Sequence, residues 1–452
     1  MINSDIKQCK HNQPNRLSGE TVSRKTLLEN LFPKGARAGI AICTIFMSAT
    51  ILSLFCRIPV KKIMSNYSYD VIIILMIMEL FTNLIARTGI MEFLATKLAV
   101  KSKGHKRIIA ALFGILMFLI SSTLNNITAV MMILPIIFVL LKAIDVDRHY
   151  INVLFSIILA LSNTGGAASP IGDFPAIVIM TSGITTFLGY VSHAFPLFAV
   201  TSIIIIFFWT RFIKEEPDGE HARELAVSFL QSQYKYVKVR WDLLGPICLI
   251  FASMFLAWSL IDQNTIPPEI IAILGYVCAA AFCALKRVPV LQDINLKSVL
   301  LIASFLYFAT VISQTGILAN LAYTLQGHIQ NPMLLLIIIM LMTSICSGIF
   351  SAGPAAAAIM PIIVQLCNGP FASQTTWVAI AYAASICAGS SFFMWSATAG
   401  FILSEKVNEA NICSSNGTHL IWNILSYLRF GLINYLLQMS IAIIWILVVC
   451  SV

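Results

Sequence analysis

Two segments set 227 residues apart carry the same pattern, TGIMEFLATKL from Thr88 to Leu98 and TGILANLAYTL from Thr315 to Leu325. Further along, SSTLNNITAVMMILPII (Ser121 to Ile137) aligns with SGIFSAGPAAAAIMPII (Ser347 to Ile363), and their prolines, Pro135 and Pro361, are 226 apart. One apolar likeness arises easily by chance, because Leu/Ile/Ala-rich helices resemble one another. Two likenesses in one register, sharing a Gly and a Pro, mark an internal duplication.

The duplicated units are apolar enough to have lipid as their solvent. Hydrophobic residues make up 58% of the chain and charged residues 11%, against about 45–50% and about 25% in soluble domains. A soluble enzyme is excluded on this balance. Runs long enough to cross about 30 Å of hydrocarbon lie near 38–56, 70–86, 193–210, 243–262, 269–285, 298–313 and 430–450. Four further stretches, 108–141, 150–183, 333–367 and 376–404, are long but interrupted by Asn, Gly, Ser and Pro. Such interruptions predict re-entrant hairpins at 108–141 and 333–367 and broken helices at 150–183 and 376–404.

Charge orients the two copies. Lys97, Lys101, Lys103, Lys106 and Arg107 follow the first TGI segment, whereas no Lys or Arg occurs from Gly316 to Phe350. The positive-inside bias therefore predicts that the two copies face opposite sides of the bilayer, inverted with respect to each other. The predicted organisation is a cytoplasmic basic tail (1–37), a first transmembrane repeat (38–212), a cytoplasmic linker loop (213–241) and a second repeat (242–452). The N-terminus is expected in the cytoplasm and the C-terminus outside. The net charge of +9 reads as topology rather than nucleic-acid binding. Eleven cysteines without a C-x-x-C pair predict neither zinc nor a disulfide framework. The sequon Asn416-Gly417-Thr418 is a short pattern of low weight.

Polar groups at the interruptions are the candidate site. The first hairpin turns at Leu124-Asn125-Asn126-Ile127-Thr128, where carboxamide, hydroxyl and freed carbonyl oxygens are the hard ligands a desolvated sodium ion needs. The competing role is interhelical hydrogen bonding. The first broken helix reads Ser162-Asn163-Thr164-Gly165-Gly166-Ala167-Ala168-Ser169-Pro170-Ile171-Gly172-Asp173-Phe174-Pro175. Its glycines permit unwound backbone and close approach, and Pro175 suits the start of a second half-helix. Asp173 is the intramembrane carboxylate expected to hold an ion or a proton, with N-capping of the half-helix as the alternative. Asn125, Asn126, Ser162 and Asp173 are the expected sodium ligands. Glu79, midway along the second span, is read as a bundle-facing contact. In the second copy the tip Ser351-Ala352-Gly353 and the hydroxyls of Ser390, Ser391, Ser396 and Thr398 supply neutral hydrogen bonds, with Trp395, Phe392 and Phe393 as possible pocket walls. The site is thus expected to be asymmetric, its cation-friendly groups in repeat one.

At these motifs the chain resembles the ion transporter superfamily of NhaD-type sodium/proton antiporters, ArsB-type arsenite carriers, citrate carriers and divalent-anion/sodium symporters. The SNTGGAASPIGDFP stretch is closest to the NhaD/ArsB pattern S-N-x-G-G-x-x-x-x-I-G-D-P-P. The resemblance implies an all-α polytopic inverted-repeat transporter of about eleven transmembrane helices, with two re-entrant hairpins and two broken helices. It also implies a homodimer in a bacterial inner membrane, with Na+ and/or H+ as coupling ion and no other cofactor. Antiporter-like members carry L-D-N at the first tip, where this chain has Leu124-Asn125-Asn126, and Phe174 replaces the first proline. Symporters carry S-N-T at both tips, which neither tip here matches. Sodium/proton antiport is the leading expectation, with carboxylate symport and arsenite efflux as alternatives.

Overall fold

The computed structural model describes residues 36–144, 146–215, 228, 238–261, 265–288, 296–414 and 418–450. The tail up to residue 35, nearly all of the linker between 216 and 237, and Asn416 and Gly417 of the sequon lie outside them. Among the described residues every regular element is a helix, and only an isolated bridge pairs Cys413 with His419.

The chain order repeats. In the first copy α1 (Ala36–Phe55) and a short α2 (Val60–Ser65) lead into α3 (Tyr69–Ala86) and α4 (Ile90–Lys101). A hairpin of α5 (Lys106–Ser121) and α6 (Asn126–Ala143) follows, then a helix broken into α7 (Arg148–Ala168) and α8 (Phe174–Thr181), then α9 (Phe187–Thr210). The second copy is preceded by an additional helix, α10 (Trp241–Leu260). It then runs through α11 (Pro268–Leu285), α12 (Leu296–Gln314) and α13 (Ile317–His328). Its hairpin is α14 (Pro332–Phe350) and α15 (Ala352–Cys367), its broken helix α16 (Thr375–Ser390) and α17 (Gly400–Glu409), and its last helix α18 (Ile424–Cys450). Seven of these helices are long and apolar enough to cross a membrane, and four shorter ones are apolar.

Local chemistry sets the breaks. The TGI motifs are matching helix corners: Gly89 and Gly316 sit at φ +74° and +76°, a left-handed conformation that glycine adopts without steric cost. Thr88 and Thr315 each donate a hydroxyl hydrogen bond of 2.6 Å to the preceding turn, at the Ile85 and Ile312 carbonyls. Side-chain caps start the site-bearing helices, from Asn125 to Ile127 N, Asp147 to Tyr150 N and Asp173 to Phe174 N. Pro135 and Pro361 are each the tenth residue of their hairpin's second limb.

Packing repeats as well. The first hairpin limb lies along the broken helix in both copies, α5 on α7 and α14 on α16. Glycine makes this approach possible. A Cβ on Gly165 would fall 2.5 Å from the Phe118 carbonyl oxygen, and one on Gly389 would collide with that of Ser344. Across the same seam Ser121 Oγ donates to the Ser162 carbonyl at 2.8 Å, and Ser347 Oγ donates to that of Ile386 at 2.9 Å. The copies also interlock, since α1 packs on α12 while α11 packs on α3, and α8 meets α15 while α6 meets α17. Helix α7 is the centre of the molecule, with 89% of its membrane-length window buried, against 28% for α18 at the periphery. Cys413 is disulfide-bonded, a departure from the cysteine reading.

Candidate functional site

The interruptions of both copies converge. Asp173 ends the five-residue break between α7 and α8, and its Oδ1 accepts the Phe174 backbone N–H at 2.9 Å while Pro175 occupies the first turn. The capping role and the proposed ligand role therefore fall on one carboxylate. Its Oδ2 accepts Asn126 Nδ2 from the tip of the first hairpin at 2.9 Å and the Thr398 hydroxyl from the second broken helix at 3.2 Å. Asp173 is only 8% exposed and Asn126 fully buried, so a charge here has left water, and the partners it meets among the described residues are hydrogen-bond donors.

Glycine lets these groups meet. A Cβ on Gly166 would lie 2.6 Å from Asn126 Oδ1 and 2.9 Å from the Asp173 Cβ, and one on Gly172 would lie 2.6 Å from the Ser121 carbonyl oxygen. The sequence pattern of paired glycines reports this close approach of the break to the hairpin tip.

Other candidate residues lie around this cluster. Asn163 donates to Ser391 Oγ across the repeats at 3.1 Å. Ser391 in turn reaches Gln438 on α18 at 3.3 Å. At the second tip Ser351 is the single residue between α14 and α15, at φ 84° and ψ 155°. Its hydroxyl bonds the Ser396 carbonyl at 3.1 Å, and Ala352 N bonds the same oxygen at 3.3 Å. Gly353 makes room for the Phe174 ring, which a Cβ would approach to 3.0 Å. Ser390 is buried and back-bonded to Cys387 O at 2.9 Å.

A few residues are placed elsewhere. Asn125 uses its side-chain oxygen to cap α6, so of the two neighbouring amides Asn126 alone reaches Asp173. Thr128 is half-buried one turn further along. Thr164 turns toward α9, where its hydroxyl meets Ser202 at 2.8 Å. The Ser162 hydroxyl bonds back to Leu159 O, leaving its carbonyl to meet Ser121. Phe393 stacks on Trp395 at 4.2 Å and Phe392 lies against Tyr435, away from the pocket beside Asp173. Glu79 is half-buried on α3.

Ser121 is the residue that the motif reading did not select. Its hydroxyl touches both the Asn126 carboxamide oxygen and the Ser162 carbonyl. The signal was the aligned Ser121/Ser347 pair.

Two cavities bear on access. Beside Asp173 a void of about 10 Å³, lined by Asn163, Tyr190, Ala352, Cys387 and Ser390 among others, is near the minimum for one water. No Lys, Arg or His lines it among the described residues. A larger cavity of about 370 Å³ is walled by Asn66, Ser68, Asp70, Thr181, Thr310 and Gln314. It also touches Val178, five residues beyond Asp173 and so roughly 7.5 Å along α8. Among the described residues no group of three or more His, Cys, Asp or Glu is placed to hold a metal ion.

Hairpins and broken helices from two copies of one unit, closing on a buried polar cluster between membrane-length helices, define a polytopic repeat transporter. Comparison with known sequences places it further: a family model described as Citrate transporter matches residues 34–387, and the chain belongs to that family. It is 23% identical over 354 residues to a 46 kDa membrane protein of Mycobacterium leprae, covering 76% of this chain and 80% of that protein. It is 25% identical over 331 residues to an uncharacterized transporter of Mycobacterium tuberculosis, covering 71% and 74% of the two chains. Magnetosome protein MamN of Paramagnetospirillum magneticum is 23% identical over 405 residues, covering 88% and 89%.

Proposed function

We propose that this transporter exchanges Na+ for H+ at Asp173 by alternating access, in a bacterial inner membrane with the N-terminus in the cytoplasm. The observation that carries the reading is the carboxylate itself, buried where the two copies meet and held by neutral donors from both. A buried carboxylate without a cation beside it is stabilised by taking up either a proton or a metal cation. Because one charge supports one of the two, proton and Na+ compete, and the competition is the coupling. With the orientation read from charge, the larger cavity between α3, α8, α12 and α15 opens to the outside, and its acidic Asp70 suits a cation.

A second reading is sodium-coupled uptake of a carboxylate such as citrate. The family description supports it. Against it stands the pocket's lining, which holds no Lys, Arg or His among the described residues, so that an organic anion would face the Asp173 carboxylate with hydroxyls, an amide, a thiol and helix N-termini as its partners.

Everted vesicles acidified by respiration and loaded with a pH dye separate the two. Under antiport, added Na+ raises luminal pH with no organic solute present, and Asp173→Asn abolishes the response. Absence of a Na+ response, together with Na+-dependent accumulation of labelled citrate, supports the second reading.

A further inference from the structure

We propose that the seam between α7 and α18 is a binding site for internal water, a hydrated link running from the face at His149 to Asn163 beside the candidate site. The water site stands whether the cargo is Na+ or a carboxylate.

Spacing lines up the polar groups. His149, Asn152, Ser156 and Asn163 recur at steps of three, four and seven, so they share one face of α7. Both ends of that face meet α18, which packs along α7. The His149 ring lies 6.3 Å from that of Phe430, and Asn163 reaches Gln438 through Ser391, by bonds of 3.1 and 3.3 Å. The two helices therefore run in the same direction. Counted from the His149–Phe430 contact, Asn152 and Asn434 stand three and four residues along, and Ser156 and Gln438 seven and eight. Each pair thus sits at nearly the same level.

All four side chains carry an unmatched atom. Of the nine buried side-chain polar atoms that lack a hydrogen-bond partner among the described residues, four are Asn152 Oδ1, Ser156 Oγ, Asn434 Nδ2 and Gln438 Nε2. Ser156, Asn434 and Gln438 are 0%, 0% and 4% exposed. The orientation of Asn434 is fixed, because its oxygen takes the Trp209 indole N–H at 2.7 Å and an indole can only donate. The neighbouring Tyr427 hydroxyl gives its hydrogen to the Ser391 carbonyl at 2.7 Å. Gln438 Oε1 meets Cys387 and Ser391, and turning this amide over leaves an oxygen unpaired in place of the N–H groups. Buried groups of this kind are normally bonded, yet these do not bond one another: amide donors stand on α18, a carboxamide oxygen and a hydroxyl on α7. A cation is turned away by the amide hydrogens and an anion by the Asn152 oxygen. Water both donates and accepts, and a buried water takes about three such bonds.

The test is brief X-ray radiolysis of the purified full chain in lipid nanodiscs, which makes hydroxyl radicals from bound water, with side-chain oxidation read by mass spectrometry. Trp209 and Trp258 are a matched pair, each 4% exposed. The first bonds Asn434 in the seam and the second bonds the Pro268 carbonyl, away from it. Trp209 should oxidise several-fold faster than Trp258, a comparison that needs no substitution, and Ser156→Ala should slow it by about twofold or more. The same variant sets a sign. The Ser156 hydroxyl has no partner among the described residues, so its removal from a dry seam raises the melting temperature, whereas its removal from a hydrated one lowers it by about 1–3 °C. Ser385→Ala on α16, whose buried hydroxyl bonds the Ala381 carbonyl at 2.7 Å, should leave Trp209 oxidation at the parental rate. The water site is overturned by equal oxidation of the two tryptophans in the parent, by Trp209 oxidation indifferent to Ser156→Ala or equally slowed in Ser385→Ala, or by a Ser156→Ala protein more stable than the parent.

Discussion

Asp173 and Thr398, 225 residues apart, share a hydrogen bond of 3.2 Å, and Asn163 and Ser391, 228 apart, share one of 3.1 Å. Both separations bracket the 226–227 residue shift of the duplication. Each bond thus joins a residue to the approximate counterpart of its own position in the other copy. The candidate site therefore lies where the two copies meet, so that a movement of one against the other would change its contacts.

That placement makes Thr398 a contributor from the opposite repeat to the charge on Asp173. Thr398→Val keeps the shape and removes a hydrogen bond to a charged group, worth about 1.5–3 kcal/mol. The apparent affinity for Na+, measured as the half-saturating concentration in the vesicle assay, should weaken about tenfold or more, while Thr398→Ser stays close to the parent.

Asp173→Asn should eliminate ion exchange without unfolding the protein. Asn and Asp are about equally good N-caps, so the bond to Phe174 N survives while the titratable charge is lost. Flux at the level of empty vesicles with parental abundance and thermal stability is the expected pair of results. Loss of the folded protein would assign the carboxylate a structural role instead.

Gly166→Ala places a methyl group 2.6 Å from Asn126 Oδ1 and must push the hairpin tip away from the break. Overpacking of this kind costs about 1–3 kcal/mol, visible as a lower melting temperature together with impaired exchange. Gly245→Ala on α10, where a Cβ meets nothing within 4 Å, should be neutral or slightly stabilising.

Ser351 holds a backbone conformation, φ 84° with ψ 155°, that is essentially reserved for glycine and costs about 1–3 kcal/mol in other residues. Ser351→Gly relieves that strain and gives up one hydroxyl bond to Ser396 O. Thermal stability should stay level or rise. A marked fall would mean that the hydroxyl bond outweighs the strain.

Much of this architecture was legible in the chain because lipid imposes a strict rule: interruptions of apolar helices must be buried against protein. The two hairpins and two broken helices were therefore visible as polar clusters, and paired glycines and Pro175 marked the break around Asp173. What sequence left undecided was direction. Asn125 and Asn126 are adjacent and chemically identical, yet helix geometry turns one into a cap and the other toward Asp173. The TGI motifs revealed the duplication but form corners outside the site. Ser121 was visible only as half of an aligned serine pair, since a hydroxyl that only packs two helices and one that also meets a site amide read alike until the third dimension places Asn126 beside it.

The central claim is tested most directly with the purified full chain in proteoliposomes whose lumen is more acidic than the bath, with labelled Na+ uptake and luminal pH recorded together. Outward proton flow should drive Na+ accumulation above its equilibrium level as the lumen alkalinises, in the absence of any organic solute, and Asp173→Asn should show neither change. Na+ uptake that waits for an added carboxylate, or that persists in Asp173→Asn, would contradict the account.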